Sequence, residues 1–452
     1  MRRASRSLLS RRRLLALALG SGLLPRFARA QAVPAKVDVA ILGAGIAGLA
    51  AARLLKDRGL SIAVLEARNR IGGRAHTDTQ RFGFAVDLGA LHLRSLEVNP
   101  LVPLIREARV ANQIEDGDFW LYEPGHEASA GDYDALGAAL DRIDDALNDA
   151  KAARQDRALA ALVPVMETRW ADAARALAGP LHVGIEFAQV SALDAPRLTG
   201  TGNDLWLPGG LGAWVASLGA GLPIFLEKPV HAIEWSERGV SIGHAGGSLE
   251  ARACIVAVPL AVLATNGVNF RPEWPGPRRE ALGRLQVGAI ERIALRYRPG
   301  SFDAAPSTQL FGPGPGGDVD IARQAMQFRL NALGQPVVLA SVGGAYARDL
   351  VRAGEEAMIE AARRRLAKLL GSQIDASFVD GMASRWGADP YSLGSHSVAR
   401  PGAVAARRAL AQPLGRVFFA GEHVAPPEWV SQLPGAWASG REAALAALKA
   451  LA

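Results

Sequence analysis

The fold is decided by residues 37–77, VDVAILGAGIAGLAAARLLKDRGLSIAVLEARNRIGGRAHT. The first residues, VDVAIL, are almost continuously apolar, which predicts a strand buried on both faces. Gly43, Gly45 and Gly48 then give the spacing G-x-G-x-x-G. In that spacing the first glycine allows a tight turn, the second lets the backbone approach a pyrophosphate, and the third lets the next helix pack closely. We expect that helix over 46–57, with its N-terminus pointing at the phosphate.

A second strand and an acidic residue complete this unit. The segment SIAVLE ends in Glu66, 18 residues after Gly48. A carboxylate at this place accepts hydrogen bonds from the ribose of a dinucleotide. The glycine triplet alone is weak evidence, but strand, triplet, helix, strand and acid in this order predict a dinucleotide-binding α/β unit. The alternative is a coincidental turn.

The residues after Glu66 distinguish a flavin from a nicotinamide cofactor. Arg68, Gly73 and Arg74 belong to a segment R-x-R-x-G-G-R (68–74). It resembles the glycine-doublet extension of FAD enzymes of the amine oxidase superfamily. Two glycines let the chain pass close to a cofactor, and arginines offer forked donors to phosphate. The alternative is a solvated basic loop.

Further segments extend the resemblance to the superfamily of flavin-containing monoamine oxidases, polyamine oxidases and lysine-specific histone demethylases. They are 85–101 with its D-L-G-A, 204–214, 386–398 (WGADPYSLGSHSV) and 418–444 (FFAGEHVAPPEWVSQLPGAWASGREAA). The resemblance implies an α/β fold, in which a Rossmann-like FAD-binding domain of the glycine-doublet type carries a discontinuous α+β substrate domain. It also implies further FAD-binding residues: Gly89, Ala90, Val230, Trp386, Gly421, Glu422 and Leu433.

Two of these residues have simpler interpretations. Glu422 is expected to bind cofactor hydroxyls, but a helix-capping or surface acid is the alternative. Trp386 is expected to pack against the flavin ring, but it is also explained as a core tryptophan. A helix beginning near Pro434 would direct its N-terminus at the flavin and stabilise negative charge there.

The resemblance also predicts how the domains divide the chain. The FAD-binding domain is expected over 36–100, 204–265 and 386–452. The substrate domain is expected over 101–203, where 132–178 is rich in helix-forming residues, and over 266–385.

The basic charge of the chain is concentrated in residues 1–30. The formal net charge is +7, yet these residues contain eight arginines and no acid. Without them, 43 basic residues face 44 acidic ones, a net charge of −1. The remaining chain lacks the basic excess of a nucleic-acid-binding protein, so we expect no nucleic-acid partner.

The same thirty residues are typical of a twin-arginine export signal. SRRRLL (10–15) leads into an apolar segment, 14–24, that is too short to span a bilayer. Ala28-Arg29-Ala30 predicts cleavage before Gln31. We therefore expect a periplasmic protein with no membrane span in its mature form. A basic N-terminal arm or an uncleaved anchor is the alternative.

Cysteine and histidine usage argues against a metal site. The eight histidines are scattered, and no H-E-x-x-H or Cys/His cluster occurs. The single cysteine, Cys254, cannot form an internal disulfide, and its apolar surroundings predict a buried, inert thiol.

Departures from the family pattern concern the substrate site. Arg292 stands where the family commonly has a lysine that holds a water near the flavin, and arginine need not hold the same water. Ser395 replaces the cysteine that attaches flavin covalently in monoamine oxidases, so FAD should be non-covalent. His396 and Gln432 replace the two tyrosines that flank the amine there. We expect Arg292, His396 and Gln432 to act on the substrate, although His396 is equally explained as a structural histidine.

The function expected from these features is that of a secreted FAD-dependent amine oxidase. It would transfer hydride from an amine C–H bond to flavin N5, giving an imine and then an aldehyde. The electron acceptor would be O2, reduced to H2O2, or a periplasmic redox protein. Three alternatives stay open: an L-amino-acid oxidase in which Arg94 or Arg292 clamps a carboxylate, a desaturase-like FAD oxidoreductase, and a non-catalytic FAD-binding protein. His92 and Glu186 are further candidates for the substrate cavity.

Overall fold

Two β-sheets organise the computed structural model, which describes residues 32–114, 117–196, 203–312 and 324–452. The predicted export signal over 1–30 lies outside the described residues and stays a prediction. Pro34–Ala452 forms one compact unit. In the part of the chain that the structure describes, no helix has the length and apolar character needed to cross a membrane.

The strands take up short segments throughout the chain. They are β1 (Lys36–Leu42), β2 (Ile62–Leu65), β3 (Thr77–Asp78), β4 (Val86–Asp87), β5 (Gln113–Ile114), β6 (Phe119–Glu123), β7 (His126–Glu127), β8 (Leu205–Trp206), β9 (Ile224–Phe225), β10 (Val230–Trp235), β11 (Val240–His244), β12 (Gly247–Val256), β13 (Asn269–Arg271), β14 (Leu285–Gly288), β15 (Ile290–Tyr297), β16 (Thr308–Phe311), β17 (Met326–Leu330), β18 (Val337–Gly343), β19 (Phe378–Ala383), β20 (His396–Ala399) and β21 (Val417–Phe419).

The helices alternate with these strands. They are α1 (Ile46–Asp57), α2 (Val102–Glu107), α3 (Ala130–Ala152), α4 (Ala171–Ala178), α5 (Pro180–Val183), α6 (Leu211–Ser217), α7 (Leu260–Ala264), α8 (Gly276–Gly283), α9 (Gly344–Ala353), α10 (Glu355–Leu370), α11 (Ala406–Ala411) and α12 (Leu433–Leu451).

The first sheet has the order β13-β10-β11-β12-β1-β2-β9, and β21 also pairs with β12. Its central strands β12, β1 and β2 are parallel, and β21 and β9 extend the parallel part. All of β2 and nearly all of β1 are buried, as a parallel sheet covered on both faces requires. Helix α1 has the predicted bounds, and the predicted α/β fold class is confirmed.

Helices α1 and α12 pack against each other over the first sheet. A Cβ atom built on Gly440 would lie 2.1 Å from the Ala47 carbonyl oxygen, so the two helices approach to backbone contact there. Cys254 lies on β12 with no exposed surface, and burial raises the pKa of its thiol well above the usual range. The prediction of a buried, inert thiol is confirmed.

The second sheet has the order β19-β15-β18-β17-β16-β6-β7 and is antiparallel except between β16 and β6. Its strand β18 is buried throughout. Helices α3 and α4, within the segment predicted to be helical, share a separate apolar cluster. The predicted domain boundaries stay a prediction, although β13, which follows the expected boundary at residue 265, pairs with β10 of the first sheet.

Candidate active site

One cavity of about 920 Å³ opens at the carboxyl ends of the parallel strands of the first sheet, where ligands of open α/β sheets bind. One face of the second sheet forms part of its wall. Among the residues predicted to bind FAD or to act on the substrate, all but Gly48 line the cavity, whereas the further candidate Glu186 does not. Those that line it are Gly43, Gly45, Glu66, Arg68, Gly73, Arg74, Gly89, Ala90, Val230, Arg292, Trp386, His396, Gly421, Glu422, Gln432 and Leu433.

The glycine-rich turn brings β1 and α1 to the edge of this cavity. Gly43 has a φ of +100°, and a Cβ atom there would lie 2.8 Å from the Ala257 carbonyl oxygen. A Cβ atom on Gly48 would lie 1.9 Å from the Gly43 carbonyl oxygen, which accounts for the place of Gly48 behind the cavity wall. Gly45 is the N-cap of α1 and no side chain caps the helix, so its first N–H groups are suited to an anion.

Glu66 is held by the backbone on both sides of the turn. Its Oε2 accepts from the Ala44 N–H at 2.8 Å, and its Oε1 accepts from the Arg68 N–H at 2.9 Å. The residue is 3% exposed. A carboxylate has about four lone-pair directions, so two remain for the hydroxyl groups of a ribose.

The Arg68 guanidinium differs from the predicted phosphate donor. It donates to Asp389 Oδ2 at 2.7 Å and to Ser392 Oγ at 2.6 Å. The Arg68 charge is thus paired with the Asp389 carboxylate. Through these contacts Arg68 connects the glycine-doublet segment to the segment beginning at Trp386.

An ionic chain runs from the cavity wall into the interior through Arg74, Glu422, Ser397, Arg407 and Asp194. Arg74 Nη1 donates to Glu422 Oε1 at 3.0 Å, and Ser397 Oγ donates to Glu422 Oε2 at 2.6 Å. Arg407 then donates to Ser397 Oγ at 2.7 Å and to both Asp194 oxygens, at 2.6 and 2.7 Å. The side chains of this last pair are 4% and 1% exposed.

The ionic chain shifts two protonation equilibria. Burial alone would raise the pKa of Glu422, but the charges around it, led by Arg74, outweigh burial and lower the pKa to about 2. Burial likewise would lower the pKa of Arg407, but the hydrogen bonds and charge of Asp194 raise it. Both groups are therefore ionised at neutral pH.

Trp386 is fixed in the cavity wall from three sides. Its Nε1–H donates to the Leu88 carbonyl oxygen at 2.9 Å, and its backbone N–H donates to Glu291 Oε2 at 3.0 Å. The Arg70 guanidinium lies 5.8 Å from the indole centroid. The indole is thus held in one orientation, which suits a residue that packs against a planar ring.

His396 already has partners at both ring nitrogens. Its Nε2 lies 2.9 Å from the Val183 carbonyl oxygen, which only accepts, so Nε2 carries the proton. Its Nδ1 faces Ser395 Oγ at 3.0 Å. Burial lowers the pKa of the ring, which is neutral at pH 7. The geometry therefore favours a structural histidine over the predicted group that orients or deprotonates the amine.

The other substrate-site candidates separate into two groups. Arg292 lines the cavity from β15, and Gln432 lines it as the N-cap of α12. His92 also lines the cavity, and its Nε2 lies 3.2 Å from Asp204 Oδ2. Glu186 does not line it, because its Oε1 accepts from the Ala345 N–H at 2.9 Å near the start of α9.

Apart from Arg292, sequence reasoning missed the polar side chains of the second sheet that line the cavity. We name this set the polar wall: Arg292, Gln309, Gln327, Arg329 and Ser341. The signal was present in MQFRL (326–330), where Gln327 and Arg329 alternate with the buried side chains of Met326, Phe328 and Leu330. Alternation predicts a polar face on a strand, but it does not reveal that this face lines a cavity.

Three comparisons with known proteins bear on the whole chain. A model of the family "Flavin containing amine oxidoreductase" matches residues 46–177 and 186–448. Polyamine oxidase 4 of Oryza sativa subsp. japonica is 30% identical over 95% of this chain and 91% of its own length.

Two solved structures share the fold. Cyclohexylamine oxidase from Brevibacterium oxydans IH-35A matches with a TM-score of 0.74 and 23% identity, over 92% of this chain and 99% of that chain. Putrescine oxidase bound to putrescine matches with a TM-score of 0.74 and 21% identity, over the same shares. Among the described residues, no group of three or more His, Cys, Asp or Glu side chains is placed to hold a metal ion.

Proposed function

Because the chain belongs to the flavin containing amine oxidoreductase family, and is thus an FAD enzyme acting on CH–NH groups, we propose that it oxidises a small amine to an imine. Water then hydrolyses the imine to an aldehyde, and O2 takes up the two electrons as H2O2. A periplasmic redox protein is the alternative acceptor. The observation that carries this proposal is a single cavity lined by both the dinucleotide turn and the residues expected to meet the amine.

The residues present fit FAD. The cavity volume of about 920 Å³ lies near the upper end of the range for cofactor pockets, about 300–1,000 Å³. The uncapped N-terminus of α1 and Glu66 would hold the pyrophosphate and ribose, and Trp386 and Leu433 would contact the flavin ring. When bound, FAD supplies the acceptor for the hydride of the amine C–H bond.

Non-covalent attachment follows from side-chain chemistry. Ser395 lines the cavity with a hydroxyl group that lies 2.8 Å from the Gly288 carbonyl oxygen and 3.0 Å from His396 Nδ1. The only cysteine of the sequence, Cys254, is fully buried on β12 and does not line the cavity. No thiol is therefore available for a thioether to the flavin.

The cavity residues act on the amine by orientation rather than by proton removal. The hydride leaves readily only when the nitrogen is neutral, because its lone pair assists the transfer. The lone pair of His396 faces Ser395, so we assign it no proton from the amine. Gln432 at the start of α12 is placed to hydrogen-bond the substrate nitrogen without taking its proton.

The test is anaerobic reduction of the purified, FAD-loaded protein by a panel of monoamines, diamines, polyamines and amino acids. Bleaching of the flavin absorbance by one class supports the proposal and names that class. A bound flavin that dithionite bleaches but no amine does would contradict it and favour the desaturase-like or non-catalytic alternatives. Comparing reoxidation by air with reoxidation by a cytochrome then identifies the acceptor.

We also propose export to the periplasm through the segment SRRRLL (10–15). Replacing Arg11, Arg12 and Arg13 by lysine keeps the charge and removes the arginine pair that defines the signal. The periplasmic fraction of enzyme in an expressing bacterium should then fall to background. Unchanged export of the lysine variant would contradict the proposal.

A further inference from the structure

The polar wall is built by the register of the second sheet. Arg292 on β15 lies opposite Ser341 on β18, which lies opposite Gln327 on β17. Arg329 lies two residues beyond Gln327 on the same face and opposite Gln309 on β16. Gln327 Nε2 donates to Gln309 Oε1 at 2.9 Å. The register therefore places the five polar side chains next to one another on one face, with hydrogen bonds within two pairs of them.

The charge of Arg292 has no ionic partner on this surface. Among the described residues its guanidinium makes one hydrogen bond, to Ser341 Oγ, and the carboxylate whose charge acts on it is that of the adjacent Glu291. The neighbouring Glu291 points to the opposite face of β15, where it accepts from Ser384 Oγ and from the backbone N–H groups of Trp386 and Gly387. A buried guanidinium facing a cavity without a counter-ion is suited to a bound anion.

Further positive charge surrounds the wall. Burial and, after it, the charge of Arg329 lower the pKa of Arg292 to about 10, and the charge of Glu291 opposes them. After burial, the charges of Arg329, Arg94 and Arg292 all lower the pKa of His92, so three arginines lie within electrostatic range of one point. His92 Nδ1 is buried and has no hydrogen-bond partner among the described residues.

Four acidic side chains line the cavity among the described residues, and each is engaged by residues of the chain: Glu66 and Glu422 as described above, and Asp204 and Asp194 as follows. Asp204 contacts His92 at 3.2 Å, and Asp194 forms the bidentate pair with Arg407. Positive charge is therefore in excess at the polar wall. Such a wall repels an alkyl ammonium ion and attracts a carboxylate.

We propose that the polar wall, through Arg292, binds a carboxylate group of the substrate, so that this enzyme prefers amines that carry a carboxylate over simple amines and polyamines. The inference rests on the proposed function. For an α-amino acid, the amine loses two electrons and two protons, and O2 takes up both as H2O2. The imino acid adds water and gives a 2-oxo acid and ammonia.

The experiment uses substrate pairs that differ only in the carboxylate. L-Leucine is paired with 3-methylbutylamine, L-phenylalanine with 2-phenylethylamine, and 4-aminobutanoate with propylamine. Anaerobic flavin reduction by the FAD-loaded full-length protein gives a rate constant and an apparent Kd for each. We expect the carboxylate member of at least one pair to be about 100-fold more effective in the ratio of these constants.

Three variants locate the effect. Arg292→Met should lose most of this advantage, read as the ratio between the two members of each pair, and Arg292→Lys should retain part of it because it keeps the charge without the fork. Arg296→Met is the matched control: Arg296 lies on the same strand, donates to the Phe82 carbonyl oxygen at 3.3 Å and does not line the cavity. It should behave like the unchanged protein.

A second measurement needs no turnover. Titration with 4-methylpentanoate or 3-phenylpropanoate, which lack the amine, should perturb the flavin spectrum of the unchanged protein but not that of Arg292→Met. Equal binding by both proteins would overturn the inference, as would simple amines that match or exceed their carboxylate partners. If no amine reduces the flavin, the proposed function fails, and the titration alone still decides whether the wall binds carboxylate.

Discussion

Replacing Arg407 by methionine should destabilise the protein strongly, because the buried carboxylate of Asp194 then loses its cationic partner. Arg407 gives Asp194 two charge-assisted hydrogen bonds of 2.6 and 2.7 Å, and the Asp194 side chain is 1% exposed. Methionine fills a similar volume, so the loss is mainly electrostatic. Removing one partner of such a buried pair costs about 3–5 kcal/mol of unfolding free energy. FAD binding should weaken as well, since Arg407 also holds Ser397, which holds Glu422.

The assay is urea denaturation at a fixed FAD concentration, because a bound cofactor adds to the apparent stability. Arg408→Met is the control, since Arg408 is the exposed neighbour in α11 and should change stability by less than about 0.5 kcal/mol. The double variant Asp194→Asn, Arg407→Met should be more stable than the sum of the two single effects indicates. A loss below about 1 kcal/mol in Arg407→Met, or strictly additive effects, would refute the reasoning.

Three further results are expected. Gly48→Ala puts a methyl group 1.9 Å from a carbonyl oxygen and should reduce FAD per protein, read from the absorbance spectrum, at least about tenfold, whereas Gly137→Ala, where nothing lies within 4 Å, should not. Trp386→Phe leaves the Leu88 carbonyl oxygen without its donor and should cost about 1–3 kcal/mol in urea; an unchanged midpoint would argue against that bond. Glu422 has a pKa lowered from about 4.5 to about 2, so its carboxylate stabilises the fold above pH 4.5 and loses that effect as the pH falls to 2. The stability difference between the unchanged protein and Glu422→Gln should therefore shrink by about 3 kcal/mol over that window, and a constant difference would contradict the shift.

The parts of the site that could be predicted from the sequence are local in the chain. Gly43, Gly48 and Glu66 lie within one strand–helix–strand unit, where the period of apolar residues and the glycine spacing determine the geometry. The start of α12 was likewise predicted to within one residue, because Pro434 is tolerated only in the first turn.

The contacts of the site that could not be predicted join residues that are far apart in the sequence. The Val183 carbonyl oxygen, which accepts from His396 Nε2, lies 213 residues before it in the chain. Asp194 and Arg407 are separated by the same number of residues. Neither partner carries a motif. A histidine in a sequence does not show which of its nitrogens a backbone group will bind, so the sequence leaves the choice between a structural and a catalytic role for His396 open.

The salt bridge between Arg74 and Glu422 also constrains how the protein is made. Its two residues are 348 positions apart, and the chain grows at about 5–20 residues per second. The glycine-rich turn therefore leaves the ribosome about 20–70 s before the strand and helix that complete the cavity. For the first part of that interval, about 10–40 s, β1 lacks its neighbour β12 (Gly247–Val256), and its apolar edge is open to wrong pairing. We therefore expect nascent chains to depend on chaperones and the complete cavity to form only after the last helix is synthesised.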